Sequence, residues 1–380
     1  MSKWSKEELL VLFNGIEDPR IDRQKKYPLN EIVFLSLYGA LADVESWRGI
    51  EMTGNERIEF LRHFFEYKNG IPSHQTIGRV FSLLKPKVFE DFFLQWNLLT
   101  YGTSEGKHIA LDGKTLRRSF DIANKQDALH LLNVCAVDDG ILLTQKEVGA
   151  KTNEITVVPE VLKTLDIKGA MISVDALNTQ KEIAEQIITA KANYTLALKG
   201  NHKNLNNASE QLFILPVSER PIIENVEKEH GRHTTRIYDL IEVDKYNLPQ
   251  SIYWKGLKAI GRVQTFTIES KKQLQTVDSR YYLLSYVDLD LFAKSARKHW
   301  MIESFHWILD VSFGEDASRK RKDNAPRNFS LIRKFAINIL KTCKGKLSVP
   351  LTRTKSALNP NFLESILVQS GFTLRMNDKI

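Results

Sequence analysis

The sequence predicts a mixed α/β protein with a helical N-terminal region, an all-β insertion and a basic helical tail. Three observations carry that expectation. Apolar residues recur at helical spacing up to about residue 100, and from about 107 short β-branched runs alternate with helical segments. Strand, strand, strand, helix, strand, helix, strand is the order of a sheet that mixes an antiparallel hairpin with parallel crossovers. From about 202 to 288 a helix leads into aromatic and β-branched runs, which read as a β insertion at about 215–288.

In the N-terminal region, EIVFLSLYGALADV is apolar all round and reads as a buried helix, with Asn30 as its cap. NERIEFLRHFF from Asn55 reads as one amphipathic helix. In GIPSHQTIGRVFSLL, Pro72 and Ser73 mark a helix start, and Thr76, Arg79 and Ser82 fall on one face. With KPKVFEDFFLQW after it, this is either a helix-turn-helix DNA reader or a plain helical bundle.

HIALDGKTL reads as a strand ending on Asp112. ALHLLNVCAV and ILLTQKEVG flank Asp138, Asp139 and Gly140, a hairpin turn. EITVVPEVLKTL is a helix interrupted by Pro159. AMISVDA is a strand ending on Asp175, KEIAEQIITAKA a helix and NYTLALKG a strand.

The stretch from Arg297 to Arg319 reads as one helix through about Val311. It places His299, Glu303, His306 and Asp310 at i, i+4, i+7 and i+11, on one face of an otherwise apolar helix. That stripe either faces water or carries a buried site. A buried carboxylate needs a partner, and a divalent cation is one.

The chain has 380 residues, enough for two or three domains, and a net charge of +8 that favours polyanionic partners such as nucleic acid. The tail, about 317–380, holds Arg319, Lys320, Arg321 and Lys322 among twelve cations between Ala317 and Ser356, against only Asp323. Phosphate neutralisation is the expected use of such a run. Cys135 and Cys343 form no CxxC, which excludes a thiolate zinc site and suits a reducing cytoplasm. No secretory h-region and no apolar run long enough to span a bilayer is found, so no membrane association is expected.

Asp112 and Asp175 close strands, and in α/β sheets sites form at the carboxyl ends of strands. With Glu303 they could converge on a pair of Mg²⁺ ions, Mn²⁺ being an alternative, for in-line displacement at phosphorus. Lys114, Arg117 and Arg118 either grip DNA or sit in a solvated loop. Asn178 and Gln180 could start a helix rather than touch substrate. His230 and His233 read as part of a surface hairpin. Glu315 and Asp316 are expected to pair with the nearby cations, and Asp310 stays open.

Several long stretches then make a resemblance specific. YPLNEIVFLSLYGALADVESW, IALDGKTLRRSFD, KTNEITVVPEVLKTLDIKGAMISVDALNTQKEIAE, YTLALKGNH and HWMIESFHWILDVSFGEDASRKRKDNAPRNFSLIRKFAINILK occur in one order over nearly the whole chain. The sequence resembles the insertion-sequence DDE transposases of the H-repeat-associated type. The resemblance implies a ribonuclease H-like core at 101–380 with Asp112, Asp175 and Glu303 as metal ligands, preceded by an N-terminal domain at 1–100 that binds element ends. It implies double-stranded DNA as partner and at least two protomers when two ends are joined. Lys114, Arg117, His299 and Arg319–Lys322 are the expected DNA contacts. The broader group carries Tyr-Arg-Glu-Lys around the glutamate, where this chain has Ala296, His299 and Asp310. His299 and Asp310 are normal for the H-repeat branch, and Ser304 replaces its usual Asn. A silent DNA-binding remnant and a metal-dependent nuclease on the same core are the alternatives.

Overall fold

In the computed structural model the described residues are 6–120, 127–149, 153–214, 220–229, 232–245, 248, 251–269, 274–343 and 345–375. His230 and Lys344 lie outside them. Six helices come first: α1 (Lys6–Asn14), α2 (Leu29–Leu41), α3 (Trp47–Glu56), α4 (Ile58–Arg62), α5 (His74–Leu83) and α6 (Pro86–Tyr101). Every residue of α2 except Asn30 is buried, as its apolar circumference requires. The helix starts after Pro28 rather than at an Asn30 cap; Asn30 instead accepts the Glu31 N–H and donates to Asn14. Ser73 does cap α5, accepting the Thr76 N–H at 3.3 Å. The run from Asn55 is not one helix, because Arg57, at φ −119°, leaves the helical path between α3 and α4.

Nine strands form one sheet: β1 (His108–Thr115), β2 (His130–Ala136), β3 (Ile141–Val148), β4 (Met171–Val174), β5 (Asn193–Leu198), β6 (Ile223–Glu229), β7 (Arg232–Glu242), β8 (Ala259–Glu269) and β9 (Leu274–Leu284). Their order is β3-β2-β1-β4-β5-β9-β8-β7-β6. β1, β4 and β5 pair in parallel, and all the other pairs are antiparallel. The expected insertion is therefore continuous with the central sheet: β9 bonds along β5 from Thr195–Leu284 to Leu198–Tyr281. Gly140, at φ +66°, makes the tight β2–β3 turn.

Helices α7 (Glu154–Lys163), α8 (Lys181–Thr189) and α9 (Lys203–Leu212) follow β3, β4 and β5. α7 runs through Pro159 without ending. After the sheet come α10 (Leu289–His299), α11 (Met301–Val311), α12 (Ala325–Cys343), α13 (Val349–Leu358) and α14 (Pro360–Gln369). One apolar core joins α1–α6 to α11, α12 and α14 on one face of the sheet, through Ala110 of β1 and Leu142 of β3. A second core packs α7, α8 and α9 on the other, through Ile109 and Leu111. β1 is thus covered on both faces, and alternation along it decides what each side chain meets. Among the described residues no helix is long and apolar enough to cross a membrane.

Candidate active site

Three elements carry the three acids. β1 and β4 pair in parallel up to Leu111 opposite Val174, so Asp112 and Asp175 are the next residues along two adjacent strands. Glu303 lies in the first turn of α11, where a helix N-terminus favours negative charge, and is exposed. The expected continuous helix is broken at Trp300. Glu303, His306 and Asp310 stay together on α11, while His299 ends α10.

Their proximity registers on Asp112. Burial first, then the charges of Asp175, Glu154 and Glu303, push its carboxyl up to about 7. Nδ1 of His306 lies 3.5 Å from Asp112 Oδ2, and its Nε2 accepts from Asn133 Nδ2 at 3.0 Å. Burial holds His306 neutral, down to about 3, so no imidazolium stands beside Asp112.

Glu154, at the start of α7, reaches the site from the opposite face of the sheet. Its carboxylate accepts from His130 Nε2 at 2.7 Å and from Asn178 Nδ2 at 2.6 Å. The Asn178 amide also donates to Asp175 Oδ1 at 3.0 Å, as does the Asn178 backbone N–H. A Cβ at Gly113 would stand 2.0 Å from Glu154 Oε1, so only glycine lets Glu154 lie against β1. Burial opposes the charge of Glu154, but the hydrogen bonds from His130 and Asn178 hold it below the ordinary carboxylate range.

The expected DNA contacts divide into two groups. Lys114, buried on the same face of β1 as Asp112, meets Asp310 at 2.6 Å, Asp316 at 3.1 Å and Glu315 at 3.6 Å. Lys320 donates to the Glu45 carbonyl beneath the Trp47 and Phe329 rings, and burial lowers it to about 7. His299 shares Ser173 Oγ with His108, and burial lowers it to about 4. These three face inward. Arg117, Arg319 and Lys322 are exposed, and Arg321 lies over Phe120 with Nε on the Arg118 carbonyl. Arg79 of α5 and residues 319–322 line one groove of about 690 Å³.

Comparison with known proteins decides what this arrangement belongs to. The family "Transposase DDE domain" matches residues 103–339, and "DDE_Tnp_1-associated" matches residues 10–97. "Putative transposase YncI" of Escherichia coli O157:H7 is 38% identical over 95% of this chain and 94% of its own length. "H repeat-associated putative transposase YhhI" of Escherichia coli K12 is 35% identical over 97% and 99%. The chain belongs to the H-repeat-associated DDE transposases. A piggyBac transposase synaptic complex with hairpin DNA overlaps 97% of this chain and 78% of that one, at a TM-score of 0.41 and 11% identity.

The donor set of this transposase suits a hard divalent cation: carboxylate oxygens, with no thiolate among them. Two observations favour that fit. The Asp112 carboxyl is raised by burial and then by neighbouring anions, and Asn178 Oδ1 is fully buried with no hydrogen-bond partner. Among the described residues no three His, Cys, Asp or Glu groups stand close enough to hold an ion together. Reading the sequence passed over Glu154, inside a helical pattern, and its donor His130. The signal that pointed to Glu154 was Gly113, a glycine in a strand interior directly after Asp112.

Proposed function

We propose that this transposase cuts and joins DNA strands at the ends of its insertion sequence by divalent-metal-dependent phosphoryl transfer on a ribonuclease H-like core. The observation that supports the reading is the register of β1 and β4, which makes Asp112 and Asp175 the next residues along two adjacent parallel strands, with burial and then the charges of Asp175, Glu154 and Glu303 raising the Asp112 carboxyl. Asp112, Asp175 and Glu303 would hold Mg²⁺, or Mn²⁺ in its place, two ions being the expected number. When bound, such ions supply Lewis-acid stabilisation of charge developing at phosphorus.

The chain's own groups do the rest. Asn178 fixes the direction of Asp175, and the neutral His306 ring stands beside Asp112. Glu303 is open to solvent, as a group meeting a macromolecular substrate must be. Arg117, Arg319, Arg321 and Lys322 would lie along the phosphate backbone of double-stranded DNA, and the groove that the last three share with Arg79 would take part of an element end. Joining two ends calls for at least two protomers, and the setting is the bacterial cytoplasm.

The test is cleavage of a plasmid carrying the element's own flanking DNA, by wild type and Glu303→Gln, with Mg²⁺ or with chelator. Metal-dependent cuts at the flanks and joined products, both absent in the variant, are expected. Equal cutting by the two proteins, or cutting in chelator, overturns the reading.

A further inference from the structure

We infer that Glu154 is a fourth carboxylate of the catalytic centre, a positioning residue that holds Asp175 in place through Asn178 and adds its charge to the attraction for a divalent cation. The inference rests on the proposed metal-dependent reading.

Glu154 is not placed there by ordinary helix packing. It is 6% exposed, ionised, and pressed against the backbone of β1 at the one residue without a side chain. A buried anion in such a position needs compensation. It finds two donors, His130 Nε2 and Asn178 Nδ2, and His130 is in turn tied through Nδ1 to Thr115 Oγ1 at 2.7 Å. The amide of Asn178 has two hydrogens, and its geometry gives one to Glu154 and one to Asp175. The two carboxylates are therefore coupled through a single NH₂ group. Asn178 cannot turn to serve Asp175 alone without leaving Glu154 short of a donor.

The same arrangement leaves the Asn178 carbonyl oxygen on the side of the amide turned away from both carboxylates. That oxygen has no partner although the residue is fully buried. Across the centre the cross-strand neighbour of Asp112, Asn133, repeats the feature: its Nδ2 serves His306 and its buried Oδ1 has no partner. Groups that hold metal ligands in place typically change metal affinity ~10–100-fold when removed.

The experiment measures Mn²⁺ binding by electron paramagnetic resonance on the full chain. Wild type, Glu154→Gln, Asn178→Ala, Asp175→Asn and a surface control, Lys181→Ala, are compared. Thermal melts and far-UV circular dichroism establish that each is folded. Glu154→Gln retains shape and acceptor but loses the charge. We expect Mn²⁺ affinity to fall about 10–100-fold in Glu154→Gln and in Asn178→Ala, and more in Asp175→Asn. Cleavage by Glu154→Gln should recover at raised Mg²⁺, whereas cleavage by Asp175→Asn should not. Wild-type affinity in a folded Glu154→Gln overturns the inference and leaves the triad standing. Should Glu154→Gln fail to fold, Asn178→Ala decides by the same criterion. A wild type that binds no Mn²⁺ overturns the metal reading itself, and this inference with it.

Discussion

Replacing Asp112 by Asn should make the metal-free protein more stable at pH 8 while abolishing its reaction. A half-buried carboxyl raised from its ordinary 3.8 to about 7 destabilises the fold whenever it is ionised. The sign follows from proton counting. Below the unfolded value both states are protonated and the cost is nil. Between that value and about 7 the unfolded chain gives up the proton and the folded one keeps it, so the cost grows with pH. Above about 7 it is constant. At 1.36 kcal/mol per tenfold, the full cost is roughly 4 kcal/mol. Asn retains the shape and removes the charge, so roughly this amount is recovered, as a ceiling. The assay is urea unfolding of chelator-treated wild type and Asp112→Asn from pH 4.5 to 8. The variant's advantage should rise steadily and level off near neutrality. Saturating Mn²⁺ should shrink or reverse it, because binding to the native wild type stabilises only that protein. Equal or lower stability of the variant at pH 8 would refute the claim that burial and neighbouring acids together raise the Asp112 carboxyl.

Arg327 bridges Glu90 at 2.7 Å and Glu147 at 2.5 Å. Arg327→Met leaves the buried Glu90 without its cation and should cost about 3–5 kcal/mol in a denaturant melt. Lys114→Met should cost a similar amount, roughly 3–5 kcal/mol, by stripping the cation from Asp310, Glu315 and Asp316. Lys322→Ala should lower the slope of log DNA affinity against log salt by about 1 in filter binding. Lys320→Met should leave that slope unchanged. Because burial lowers Lys320 to about 7, its charge is opposed below that pH, and Lys320→Met should lose least stability at pH 6 and most at high pH.

Much of this arrangement is legible in the sequence because it is local. Asp112 and Asp175 stand at the ends of apolar β-branched runs, and Glu303 on a helix whose other faces are apolar; these are patterns of a few residues. What depends on partners far along the chain is not legible. The break at Trp300 sits inside an unbroken helical pattern. β9 pairs with β5, almost ninety residues earlier, so nothing near either strand announces that the insertion extends the central sheet. The basic tail reads as a run that neutralises phosphates, yet Arg327, Arg333, Lys334 and Arg353 turn inward to Glu90, Glu45, Gln145 and Asp43. Glu154 was hidden for the same reason, since its meaning comes from Gly113, His130 and Asn178.

The most direct test of the central claim is the number of Mn²⁺ ions retained by the protein bound to element-end DNA. It should be measured by electron paramagnetic resonance for wild type, Asp112→Asn and Glu303→Gln. Convergence of the three acids on one centre predicts that wild type retains bound Mn²⁺ and that each variant loses it while still holding DNA. Equal retention by all three proteins would contradict it.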